Sequence, residues 1–150
     1  MMNISKSNEK SAAKPAKMAL TEFMALIETH HPFAQLLGLR VLDISHGHAR
    51  VSLQPGDGHQ RLGGIVAGPM LMGLADFAAY AAIVGATGNA EAVTASLTIN
   101  FLRKSPPGEI VAEATVLKVG RLSAVDVSLM SAKTGDVLAH SVSTWSLPKA

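Results

Sequence analysis

The sequence predicts an α+β domain in which one antiparallel sheet wraps a long central helix. Three observations carry that reading. Residues 64–88 are apolar apart from Asp76, Tyr80 and Thr87, so a helix there has no polar face, the pattern of a helix enclosed on all sides. Two strand-like segments precede it and four follow, joined by short connections rich in Gly and polar residues. The chain has 150 residues, 48% of them apolar, which suits one domain with one sizeable core.

The elements follow in order. Residues 1–17 hold Lys6, Lys10, Lys14 and Lys17 against Glu9 and are expected to form a disordered arm. Residues 18–150 then form the single folded domain. Leu20, Phe23, Leu26 and Ile27 give a short amphipathic helix over 18–29, which His31-Pro32 ends. Strands are expected over 39–45 and 49–54, with His46-Gly47-His48 as the turn. In the second, Val51 and Leu53 alternate with Arg50, Ser52 and Gln54, leaving one face wet. Residues 55–64 read as loop. The long helix is expected over 69–84, with Pro69 in its first turn and Gly85 and Gly88 at its end. Four strands follow over 92–103, 109–119, 122–132 and 137–147. Their turns are 104–108, Gly120-Arg121 and 133–135. Strands joined so closely read as consecutive antiparallel neighbours. A sheet curled around one buried helix is the hotdog architecture.

Composition narrows the function. The arm carries a local charge of +3, which leaves −1 for the remainder of a +2 chain. The folded part has no basic face of the kind that binds nucleic acid. There is no cysteine, hence no disulfide, thiolate metal site or Cys nucleophile. No apolar stretch follows the first lysines as in a secretory signal, and a cytoplasmic protein is expected. The apolar run is long enough to span a bilayer, but Asp76 at its centre argues against that, because a charge there is costly. No metal site is expected: His46 and His48 lack a third ligand, His30 and His31 read as a helix end, His59 stands near the glycine-rich segment, and His140 reads as a strand residue.

Asp76 is the first chemical signal, since a carboxylate within a buried helix is expensive unless paired or used. The second is the helix start, Gly63-Gly64-Ile65-Val66-Ala67-Gly68-Pro69. Free N–H groups at a helix N-terminus polarise carbonyls or bind anions, and no Gly-Lys-Ser/Thr follows to make it a phosphate loop. Gly68 and Asp76 are eight residues apart, about 12 Å along a helix, whereas reacting groups meet at ~3–3.5 Å. If both act on one carbonyl, the site is shared between two antiparallel helices of a homodimer.

The combination of Gly64-x-Val66-Ala67-Gly68-Pro69, Leu74-Ala75-Asp76, the segment Leu97 through Arg103, Gly120-Arg121 and the entry His31-Pro32-Phe33-Ala34 with Leu37-Gly38 resembles the hotdog acyl-CoA thioesterases of the phenylacetate-degradation type. The resemblance covers residues 31–147. It implies that Gly68 presents the N–H that polarises the thioester carbonyl. It implies that Asp76, reaching in from the partner subunit, is the general base or nucleophile. The family pattern before the helix is Asn-x-x-Gly-x-Val-His-Gly-Gly; here Arg61 stands for the Asn, Ala67 for the His and Pro69 for the second Gly. Arg61 would offer a charged donor in place of an amide. The regions Asn100-Phe101-Leu102-Arg103 and Gly120-Arg121 correspond to the lining of the coenzyme channel, where Arg103, Lys104 and Arg121 would meet phosphates. Tyr80, one turn after Asp76, would either bond the carboxylate or substrate or pack with its hydroxyl at a seam. Met70, Met72, Leu74 and Phe77 would line the acyl pocket. No cofactor is implied beyond coenzyme A as part of the substrate, and the resemblance implies pairing of dimers into a dimer of dimers. Two functions follow: an acyl-CoA thioesterase for small or medium acyl or aryl groups, or an acyl-CoA binder silenced by loss of the His and Asn. A hotdog dehydratase would need a His in this loop.

Overall fold

The computed structural model describes residues 14–149. Of the expected arm, residues 1–13 lie outside the described residues. The last four are tied to the body: Lys17 donates its N–H to the Gly85 carbonyl (2.8 Å), and the Lys14 carbonyl accepts from the His46 N–H (3.0 Å).

Helix α1 spans Leu20–His30 and buries Phe23 and Ile27. A second helix, α2 (Pro32–Leu37), follows at once and was not foreseen. Pro32 ends one helix and, as a first-turn proline with a preset φ, starts the next. Gly38 closes α2 in the left-handed region at φ 72°. Strands β1 (Leu39–Ser45) and β2 (His48–Leu53) form the expected hairpin. The loop expected over 55–64 contains the start of a two-residue ribbon, β3 (Gln60–Arg61) paired with β4 (Ile65–Val66), too short to leave a periodic signal.

Helix α3 runs Gly68–Thr87. It is long and apolar enough to cross a membrane by length and composition, but here it is the core, packed against β2 and the strands that follow it. Its end differs from the expectation. Gly88, at φ 70°, is the cap, while Gly85 lies inside the helix, where a Cβ would strike the Ser45 carbonyl oxygen and Ile44. Gly85 therefore serves close helix–strand packing rather than termination.

The remaining strands are β5 (Val93–Phe101), β6 (Ile110–Lys118), β7 (Leu122–Ser131) and β8 (Val137–Ser146). The sheet is antiparallel throughout, in the order β1-β2-β6-β7-β8-β5. The architecture matches the expectation; one pairing does not. β5 pairs with β8 and not with its sequence neighbour β6. Residues 102–109, with Pro106, Pro107 and Gly108, are not a hairpin turn but a crossover past the ends of β7 and β8. Three inter-strand spacings of ~4.8 Å must be crossed, about 14 Å, which eight residues span easily. The consequence is functional: β5 becomes an edge strand, with a neighbour on one side only.

Candidate functional site

Two cavities flank α3, one at its N-terminus and one at its middle. The first, about 410 Å³, is lined by Gly68, Arg61, Phe101, Arg103, Lys104 and Ser105 among others. Ala67, the N-cap, donates its N–H to the His59 carbonyl (2.8 Å), and Val66 donates to the Ser105 carbonyl (2.8 Å). These bonds hold the turn that aims the helix start. The Gly68 N–H has no acceptor among the described residues. A Cβ at Gly68 would lie 3.3 Å from the Phe101 ring, so glycine lets that ring lie against the helix start. Three cations and no carboxylate line this cavity, and none of the three makes an ion pair among the described residues. Such a lining, with a free helix-terminal donor, is chemically suited to an anion.

The second cavity, about 240 Å³, is lined by Asp76, Tyr80, His31, Phe77, Thr94 and Trp145 among others. Its wall is aromatic: Phe77, Tyr80 and Trp145 line it, with the Phe77 and Trp145 rings tilted against Tyr80 at centroid distances of 6.4 and 6.0 Å and Phe23 packed behind them at 5.8 Å from Tyr80. Asp76 is half-buried and accepts from the Thr94 hydroxyl at 2.5 Å. Burial drives its pKa above the usual carboxylate value, and the Thr94 bond opposes part of the rise. No cation pairs with it among the described residues.

Tyr80 does not bond Asp76. Its hydroxyl donates to the Ala90 carbonyl (2.7 Å) and lies 3.2 Å from His31 Nε2. Since the hydroxyl proton is committed to Ala90, His31 must supply the other proton, and its neutral ring carries it on Nε2. Burial, with the neighbouring His30 adding to it, lowers the His31 pKa and favours that neutral ring. His31 in this wall was missed from sequence, where a His before Pro reads as a helix end. Its only signal was its place in the entry segment of the resemblance.

The other expected residues separate. Arg61, Phe101 and Arg103 join Gly68 in the first cavity. Ala67 is beside them as the N-cap, and Gly64 makes the ribbon turn at φ 72°. Asn100 faces the opposite side of the sheet from Ile99, which packs on the core; it sits across from His140, which pairs with Asp126 on that outer face. Gly120 and Arg121 lie at the far end of the sheet. Phe101 sits opposite Ala139, whereas Leu122 sits opposite Ser146, seven residues on, or roughly 23 Å along the strand. Of the four residues expected to line an acyl pocket, only Phe77 lines the Asp76 cavity: Leu74 is sealed in the core and Met72 is exposed. Among the described residues no three His, Cys, Asp or Glu side chains gather as a metal site.

Comparison with known proteins agrees with this architecture. The family model described as Thioesterase superfamily matches residues 63–138, a span that holds both Gly68 and Asp76. A candidate esterase of Deinococcus radiodurans is 32% identical over 137 residues, 90% of this chain and 87% of that protein. A candidate thioesterase of Silicibacter sp. TM1040 superposes with a TM-score of 0.79 at 27% identity, covering 92% of this chain and 97% of that one. A variant of the phenylacetic acid degradation protein PaaI from Thermus thermophilus gives 0.71 at 28% identity, covering 78% and 99%.

Proposed function

The chain belongs to the thioesterase superfamily, and from that premise we propose that it hydrolyses small or medium acyl- or aryl-CoA thioesters to the free acid and coenzyme A. The observation that carries the reading is that α3 sets a free N–H at Gly68 among cations in one cavity and a carboxylate at Asp76 among aromatic rings in another. Each lacks what the other has.

A homodimer joined edge to edge through β5 would unite them. Symmetric antiparallel pairing about Leu97, the middle of β5, with Ala95 left as the extra residue as it is against β8, sets Thr94 across from Ile99 of the partner subunit, two residues from the partner's Phe101 on the same face. Thr94 holds Asp76 and Phe101 touches Gly68, so this register brings Asp76 of one subunit to Gly68 of the other. It also carries the partner's Arg121 to the end of the sheet where Arg103 stands. A coenzyme seated at Gly68 would then meet Arg61, Arg103 and Lys104 from one subunit and Arg121 from its partner.

In the shared site the thioester oxygen accepts the Gly68 N–H, which the helix terminus makes a stronger donor as the oxyanion develops. The partner's Asp76 removes a proton from water, whose oxygen bonds to the carbonyl carbon. The C–S bond then breaks, and the sulfur takes the proton as coenzyme A leaves. Alternatively the carboxylate attacks first and water releases the acyl group. A raised pKa makes Asp76 a better base, provided the pH is high enough to ionise it.

The test is release of free coenzyme A from a panel of short-chain, medium-chain and aryl acyl-CoAs, with Asp76→Ala and Asp76→Asn beside the wild type. Loss of the base should lower kcat by ~10²–10⁴ with folding intact. A second reading rests on Ala67 and Arg61, which stand where the resembled family has His and Asn: a silent acyl-CoA binder. Saturable coenzyme A binding without turnover on any thioester would establish that reading instead.

A further inference from the structure

The Asp76 cavity has a neighbour across two shared side chains. A third cavity, about 220 Å³, lies between α1 and β1, lined by Met24, Ile27, Val41 and the polar rim of Glu28, Gln35 and Arg40. Leu39 and Phe77 line both this cavity and the one at Asp76. Those two side chains are therefore the wall between them. Leu39 is fixed by its strand, paired opposite Leu53. Phe77 stands on α3 next to Asp76, half-buried, its ring tilted against Phe23 and Tyr80 at 6.1 and 6.4 Å, and supplies most of the partition's bulk.

Resting on the thioesterase reading above, we propose that Phe77 is the specificity-determining partition of the acyl site: it confines the acyl group to the Asp76 cavity, and the α1–β1 cavity is a second compartment for longer chains that opens when the ring is removed. Volumes set the limits. At ~30 Å³ for a water-sized group, 240 Å³ holds about eight such groups, enough for a medium chain or one aromatic ring. Each cavity alone falls below the ~300–1,000 Å³ usual for small-molecule sites, and the two joined fall within it. The inner walls of the second compartment are apolar, and its polar rim faces solvent, so a chain entering past Phe77 buries its methylenes and directs its end outward.

The experiment measures affinity for S-alkyl-coenzyme A thioethers, which cannot be hydrolysed, with butyl, octyl and dodecyl chains, for the wild type, Phe77→Leu and Phe77→Ala. Hydrolysis of the matching acyl-CoAs is followed in parallel. Each newly buried methylene is worth about fourfold. Wild-type affinity should rise from butyl to octyl and gain nothing at dodecyl. Phe77→Ala should bind the dodecyl thioether on the order of 10²-fold tighter than the wild type, with Phe77→Leu between them. Adding Met24→Trp, which fills the far compartment, should cancel that gain. Parallel chain-length profiles in folded wild type and variants overturn the partition, whatever the turnover. Shifted profiles without turnover uphold the partition and sink the hydrolase reading, whereas no binding of any thioether overturns both.

Discussion

Alkaline titration should find a protein whose single tyrosine resists ionisation. Tyr80 is the only tyrosine in the chain, so tyrosinate absorbance reports this one side chain. It is 6% exposed, and its hydroxyl donates to the Ala90 carbonyl oxygen at 2.7 Å. Ionisation would strip the phenolate of water and set it lone pair to lone pair against that carbonyl. Burial accordingly pushes the Tyr80 pKa from 10.0 up to about 12. The sign follows from linkage. An acid whose folded pKa lies above its unfolded value contributes stability that is complete below the unfolded pKa, near 10, and lost as the pH rises through 12. The ceiling on that loss is ~3 kcal/mol. The phenol borders a cavity open to water, and screening there reduces the figure to about 1–2 kcal/mol. The assay is tyrosinate absorbance against pH for native and urea-unfolded protein, with far-ultraviolet circular dichroism at each point. A native midpoint indistinguishable from the unfolded one, with the fold intact, would refute the placement of the hydroxyl.

Two further substitutions test the packing of α3. Asp76→Asn removes a carboxylate whose folded pKa burial raises, and the stability tied to its protonated form is present near pH 4 and lost as the pH climbs through that raised value. The variant should therefore melt above the wild type at pH 7 while losing catalysis, with the gap closing below about pH 4; equal melting at pH 7 counts against a desolvated carboxylate. Gly85→Ala should destabilise by about 1–3 kcal/mol, since the new methyl meets the Ser45 backbone carbonyl, which cannot rotate away. Helix propensity alone predicts a gain approaching ~1 kcal/mol, so a higher melting temperature for this variant would show that the helix–strand approach is looser than described.

What was legible in the chain, and what was not, follows from what a linear pattern encodes. α3 was visible because a helix with no polar face has few places to go. Asp76 was visible because it is the one charge in that run. The separation of Gly68 from Asp76 was visible as helical rise, before any tertiary structure, and the two cavities keep them apart as expected. The partner of β5 was not visible, because an alternating pattern records which face is buried and not which strand lies alongside. The Pro106-Pro107-Gly108 segment reads equally well as a tight turn or a crossover. That error mattered, because it concealed the edge strand on which the proposed shared site depends. His31 was hidden, and Phe77 could not be told apart from Met70, Met72 and Leu74, for another reason. A His before Pro looks like punctuation, and a Phe in an apolar run looks like core, since sequence carries no record of empty space. A cavity is what the surrounding side chains fail to fill. Phe77, which borders that unfilled space beside Asp76, has the type and spacing of ordinary core.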